Sequence, residues 1–186
     1  AQAPDRGGGE GDREEEREEE ASPEDHDHLC ARLDARIQKL IHLSGTPEET
    51  VVMSAIVSKI NSYGKAQQRA LVVTSHHILN ILPDNYSRCK RMIPIVLLSS
   101  ISRCMGESQF AIHVVGERPY RFKTSLTPQA CSLLQYAYAT LTSRKLHISD
   151  VATVNQLTSA SSVPRSLISR VTSALGASST PSTAPP

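Results

Sequence analysis

Tryptophan is absent from this chain, and only two phenylalanines and five tyrosines stand among its 186 residues. An aromatic share of 4% beside a hydrophobic share of 39% is thin for a core that spans the whole chain. It suits a smaller folded unit with polar ends. Few aromatics also leave little to stack on bases, so nucleic acid is the least supported partner. Long apolar runs are missing too, and none reaches the ~18 residues of a membrane span. The N-terminus is acidic and polar, unlike a secretory or mitochondrial leader. Cys30, Cys89, Cys104 and Cys131 contain no CxxC pair and fit neither a zinc site nor a disulfide framework. The reading is reduced thiols in a cytoplasmic protein.

Acidic residues are scarce outside one segment. Residues 1–28 hold 12 acids and 3 Lys/Arg, a net of −9, and the rest hold 7 acids and 17 Lys/Arg, a net of +10. The near-neutral total thus conceals a basic body behind an acidic leader. A basic body points to an anionic partner: lipid head groups, nucleic acid or an acidic protein surface. The leader is expected to fold back over that body and compete with anionic membrane. The seven acids of the body fall mostly in predicted turns, so no carboxylate pair faces a cleft. No Gly-rich phosphate loop is present. His76, His77 and His113 join no nucleophile, and no cysteine has the His/Asn context that activates a thiolate. No enzyme, cofactor or metal site is expected. "DHDH" at Asp25–His28 reads as solvated rather than metal-binding.

Four segments follow from the patterning: a disordered acidic leader over 1–28, an amphipathic helix over 29–45, a folded domain over 46–156 and a Ser/Thr/Pro-rich disordered tail over 157–186. In the second, Leu29, Leu33, Ile37, Leu40 and Ile41 recur at three and four, which predicts about four helical turns capped by Asp27 or His28 and ended by Gly45. From Thr50 the period becomes strand-like. "TVVMSAIVSKI", "RALVVTS", "HHILNIL", "KRMIPIVLLSSISRC", "SQFAIHVV" and "YRFKTS" are short β-rich runs joined by turns, the pattern of an antiparallel sandwich or barrel. Pro94 marks an edge or bent strand. "LTPQACSLLQYAYATLTSRK" reads as a C-terminal helix with Thr127 as N-cap and Pro128 first inside. "KLHISDV" offers one more short strand.

One hairpin concentrates charge. "SKINSYGKAQQRALVVTS" places Lys59, Lys65 and Arg69 close together with no acid between them. A strand-end Lys and a facing strand-start Arg would straddle the hairpin mouth. Cations at the mouth of a first hairpin, on a sheet capped by a C-terminal helix, form the layout of a pleckstrin-homology-like fold. "VSKINSYGKAQQRALVVTSHHILNI" resembles the first three strands of the tail-homology-1 domain of class I myosins, with Lys59, Arg69 and Thr74 on that family's Lys, Arg and Thr. "KRMIPIVLLSSISRCMGESQFAIHVV", "YRFKTS", the helix and "LHISDV" continue in the same order, over about residues 50–155. The family's first loop usually carries more cations than "NSYGKAQQ" does. Neither the motor's P-loop nor an IQ motif is present, so the resemblance brings no ATPase to these residues.

The resemblance implies a peripheral membrane-binding module that holds phosphoinositide head groups on Lys59 and Arg69. Lys65 on the first loop, with Arg88, Lys90 and Arg91 on a second, would widen the basic face. It further implies a link between membrane and an actin/myosin-type cytoskeletal assembly, with the protein peripheral at either. The alternative is a pleckstrin-homology-like protein-interaction module of a cytoskeletal complex.

Overall fold

The computed structural model describes residues 26–159; the acidic leader through Asp25 and the tail from Ala160 lie outside the described residues. Helix α1 (Ala35–His42) precedes strands β1 (Val51–Ile60), β2 (Ala66–Thr74), β3 (His77–Leu82), β4 (Asn85–Pro94), β5 (Leu98–Cys104), β6 (Gln109–Val114) and β7 (Tyr120–Lys123). Helix α2 (Thr127–Thr142) and strand β8 (His147–Asp150) complete the order. The strands form one open sheet, β4-β3-β2-β1-β7-β6-β5-β8. The fold is therefore mostly β with a C-terminal helix, as the strand spacing predicts, but the sheet does not close into a barrel.

All pairs are antiparallel except β5 with β8, which runs parallel. An all-antiparallel meander was the expectation. Parallel pairing requires a long crossover, and here β6, β7 and α2 carry the chain back. Pro94 ends β4 at the sheet edge, where its missing N–H breaks no ladder bond. In the first turn, Asn61 Oδ1 accepts from Tyr63 N and Lys65 N, both at 2.9 Å. Gly64, at φ +75°, supplies the left-handed step that reverses the chain.

Alternation sorts the sheet into two faces. Met53, Ala55, Val57, Leu71, Val73, Ile78 and Ile93 bury on one, together with Phe110 and Phe122. The Phe rings lie 5.4 Å apart between centroids. Helix α2 adds Ala130, Cys131, Leu134 and Ala137, with Leu133, Tyr138 and Leu141 partly buried beside them. Its start differs by one residue. Thr127 lies inside the helix, and its hydroxyl donates to Thr124 O at 2.8 Å instead of capping.

The other face of β2 and β3 buries Ala70, Val72, Leu79 and Ile81 under Ile37 and Ile41 of α1. This helix is shorter than the expected 29–45. Asp34 is its N-cap and accepts from Arg36 N at 2.9 Å and Ile37 N at 3.3 Å. Upstream, Asp27 takes the N–H groups of Ala31 at 2.8 Å and Arg32 at 3.0 Å, and Cys30 sits at φ 51°. Side-chain bonds thus replace helix bonds there, and Leu33 points to solvent. Asp27 is no solvated residue: it also accepts the Ser54 hydroxyl. The other end holds a second surprise. Leu157, expected to open a disordered tail, is buried against Cys104 and Ala111 in a short 3₁₀ turn.

Glu49, with its side chain 1% exposed, joins the α1–β1 connection to the β2–β3 turn. It accepts from Ser44 Oγ at 2.6 Å, from the Thr74 hydroxyl, and from His77 Nδ1 at 2.9 Å. Burial alone would raise its pKa, but the bonds from Ser44, Thr74 and His77 outweigh burial and hold it below the ordinary value. A depressed carboxylate stabilises the fold above its unfolded pKa and loses that contribution as pH falls through the folded value. Stability should therefore drop through the acid range in thermal melts. Glu49→Gln should flatten that drop and cost about 1–3 kcal/mol at neutral pH. An unchanged acid limb would show that other carboxylates govern it.

Candidate functional site

Four inward-facing stripes change from apolar to polar at the same end of the sheet. On β1 the run Met53, Ala55, Val57 is followed by Lys59. On β2, Val73 and Leu71 are followed by Arg69, and on β3 Ile78 is followed by Asn80. On β4, reading backwards from Ile93, Arg91 is next. The register aligns them: Val57 faces Arg69, Leu71 faces Asn80, and Asn80 faces Arg91. The polar ends form a mouth over the apolar core.

Tyr120 of β7 makes one wall. The Lys59 ammonium lies 5.2 Å from the centre of its ring. Glu117, in the β6–β7 connection, accepts from both Arg91 and the Tyr120 hydroxyl, and so ties β4 to β7 across the opening. The Tyr120 bond, foremost, holds Glu117 below the usual carboxylate value, and the Glu117 bond raises Arg91. Arg69 is fixed by two bonds, Nη1 to Gln68 O at 2.6 Å and Nη2 to Gln67 Oε1 at 2.7 Å.

The mouth is electrostatically uncomfortable as it stands. Half-burial, then the charges of Arg69 and Arg91, push the Lys59 pKa down. Three cations meet one carboxylate. Among the described residues, the buried Arg69 Nε and both amide atoms of Asn80, a residue 1% exposed, have no hydrogen-bond partner. Buried donors without partners are uncommon and costly. An oxyanion in the mouth would meet hydrogen-bond donors and offset positive charge at once.

The sequence-predicted residues divide. Lys59, Arg69 and Arg91 come together. Lys65 stands exposed on the turn, beyond the mouth. Arg88, Lys90 and Arg91 were expected on a second loop but belong to strand β4. The loop shrinks because Asn85 already pairs with Leu82. Ile81 faces Cys89 while Asn80 faces Arg91, so Lys90 is the extra residue of a bulge. Arg88 and Lys90 are exposed on this edge strand. Asn80, Glu117 and Tyr120 were missed. Their signal is the cross-strand register, which no single strand displays.

Nothing described here resembles a catalytic centre. His113 is buried, with Nε2 2.9 Å from Ser102 Oγ, and burial lowers its pKa. Burial raises the Cys89 thiol and pushes Cys131 up to about 12, the reverse of an activated nucleophile. Among the described residues no group of His, Cys, Asp or Glu fits a metal ion, and no helix is long and apolar enough to cross a membrane.

Comparison with known proteins agrees with this picture of a binding module. The human unconventional myosin-Ig is 31% identical over 68 residues, 36% of this chain and 7% of that protein. The chain thus spans a small part of the curated relative it matches. Among solved structures, the C-terminal pleckstrin-homology domain of human pleckstrin shares 12% identity at a TM-score of 0.45, over 49% of this chain and 81% of that one. The N-terminal pleckstrin-homology domain of human ARAP2 shares 19% at 0.41, over 48% and 80%. The Slm1 pleckstrin-homology domain in complex with inositol 4-phosphate shares 9% at 0.43, over 47% and 95%. The fold assignment rests on strand order and capping helix rather than on these likenesses. Residues 25–164 match the family model described as unconventional myosin tail, actin- and lipid-binding. The chain belongs to that family, and is a binding module rather than an enzyme.

Proposed function

We propose that the mouth binds the phosphorylated head group of an anionic membrane lipid, a phosphoinositide, and so holds the protein peripherally at a membrane beside the actin cytoskeleton. The observation that carries this reading is the half-buried Lys59, 5.2 Å from the Tyr120 ring centre, its charge opposed by Arg69 and Arg91 and met by no carboxylate of its own among the described residues. Arg69 and Arg91 offer planar forks to phosphate, and Lys59 a point charge. Lys65, Arg88 and Lys90 are exposed around the site and add diffuse attraction to the bilayer. The family description supplies lipid and actin as partner classes.

The test is vesicle co-sedimentation with phosphoinositide or phosphatidylserine at matched surface charge, across a salt series. The expected result is tighter binding to phosphoinositide that persists at higher salt. Lys65→Ala should lose only the diffuse share, ~1 kcal/mol or about five-fold, in both lipids alike. Equal binding to both lipids would reduce the mouth to a basic patch. No binding to either would pass the lead to a protein partner.

A further inference from the structure

The acidic leader is tethered to the strand that carries Lys59. Asp27 bridges to Ser54 in parallel with β1, and His28 N donates to Ser54 O at 3.0 Å. Leu29 N reaches the hydroxyl of the buried Ser54 at 2.9 Å. β7 pairs with β1 only over Ser58–Ile60, so Asp27 and His28 meet the strand upstream of that ladder. The side chain of Asp27 is itself bonded to Ser54, Ala31 and Arg32, which fixes the point from which the leader departs.

Reach and charge both suit the mouth. Along β1, Ser54 to Lys59 is about 17 Å at ~3.4 Å per residue. An extended chain spans up to ~3.5 Å per residue, so Glu20 reaches about 24 Å from Asp27 and Glu14 about 45 Å. The chain runs parallel to β1 at Asp27 and must turn back toward Lys59, and the surplus length covers that reversal. Glu14–Glu16 and Glu18–Glu20 gather six carboxylates around Arg17. The mouth sets Lys59, Arg69 and Arg91 against Glu117, and Arg69 Nε has no partner among the described residues. Arg88 and Lys90 stand exposed on the same edge strand as Arg91. A carboxylate accepts from a guanidinium fork as a phosphate does. It carries one charge where a phosphomonoester carries nearly two, and is the weaker occupant.

We propose, on the reading that the mouth takes lipid, that the glutamate run over 14–20 occupies the mouth until a head group displaces it. The leader is then a tethered competitor, and the membrane must outbid it. A short tether gives an effective concentration of about 1 mM. A run that binds the mouth with a Kd of about 0.1 mM would fill it roughly nine-tenths of the time and lower the apparent lipid affinity about ten-fold. A vesicle poor in phosphoinositide would leave the leader in place, and a rich one would remove it.

The experiment uses the full chain with all six glutamates neutralised: Glu14→Gln, Glu15→Gln, Glu16→Gln, Glu18→Gln, Glu19→Gln and Glu20→Gln. Equal thermal melts check the fold. On phosphoinositide vesicles the variant should bind about ten-fold tighter than the wild type at ~0.1 M salt, and the gap should close as salt rises. A second measurement needs no lipid. A carbodiimide joins a lysine amine to a carboxylate in direct contact, and mass spectrometry maps the links. In the wild type, glutamates 14–20 should link to Lys59, Lys65 and Lys90 ahead of Lys39 and Lys145, which are equally exposed to the reagent outside the mouth. Phosphoinositide vesicles should suppress those links. Tighter binding by the variant with links spread evenly over all five lysines would make the leader a diffuse screen and overturn the inference. So would equal lipid binding by both chains at low salt, which leaves the mouth standing. Mouth-specific links in a chain that binds no vesicle would sink the lipid reading and leave the contact between leader and mouth.

Discussion

Lys59→Ala combined with Arg69→Ala should abolish the preference for phosphoinositide over phosphatidylserine. Hydrogen bonds to charged groups contribute ~1.5–3 kcal/mol each, so each single change should cost roughly 10- to 150-fold in phosphoinositide affinity. The two residues share one mouth, and their effects should not add. Arg69→Lys keeps the charge but loses the planar fork, and should recover only part of the loss. A control separates lost contact from lost fold. Lys59 has a pKa depressed by burial and by Arg69 and Arg91. A Lys so depressed destabilises the folded state at every pH below its unfolded value, where the unfolded chain binds the proton more readily. Lys59→Met should therefore hold or raise the melting temperature at neutral pH while binding collapses. Binding that survives the double change, in a chain that melts as the wild type does, would remove the mouth from the mechanism.

Phe110→Ala should be the most damaging single change in the core. Phe110 and Phe122 are the only phenylalanines in the chain, both are buried, and they pack on each other. They join β6 to β7, and β7 joins the second half of the sheet to β1. Truncating a buried phenylalanine costs about 3–5 kcal/mol through lost transfer energy and the cavity left behind. For a domain of this size that is a fall of roughly 10–20 °C in melting temperature. Because the neighbouring Tyr120 forms a wall of the mouth, lipid binding should weaken as the fold loosens. A loss under about 1 kcal/mol would mean that the core collapses around the gap, and that the ring pair does not anchor the sheet.

Local chemistry wrote much of this fold into the sequence. Alternation through "VVMSAIVSKI", the Gly64 turn and the Pro94 edge are each decided within a few residues. So is the apolar stripe of α2. The start of α1 was hidden because Asp27 spends its carboxylate on Ala31 and Arg32, a choice that Ser54, far along the chain, helps to fix. The direction of β8 was hidden because a four-residue strand carries no mark of its partner. The candidate site divides in the same way. Lys59 and Arg69 belong to one hairpin and could be paired by counting. Arg91 enters only through a bulge at Lys90, and Glu117 only by reaching across to β4. Asn80 reads as an ordinary strand interruption until the register sets it between Leu71 and Arg91.

The pairing of β1 with β7 also orders events in time. Ser58, Lys59 and Ile60 find Lys123, Phe122 and Arg121 only after the intervening strands exist, and such non-local contacts form late and slowly. A shorter chain ending before Tyr120 would carry Lys59, Lys65, Arg69, Arg88, Lys90 and Arg91, yet would lack the ring beneath Lys59 and the β1–β7 ladder that places it there. Binding and folding are therefore linked. A ligand held only by the completed mouth, at 100 times its Kd, adds about 2.7 kcal/mol to the unfolding free energy. On the proposed reading, a chain that lacks β7 keeps only the diffuse attraction of these cations and gains the lipid-selective share when β7 completes the mouth.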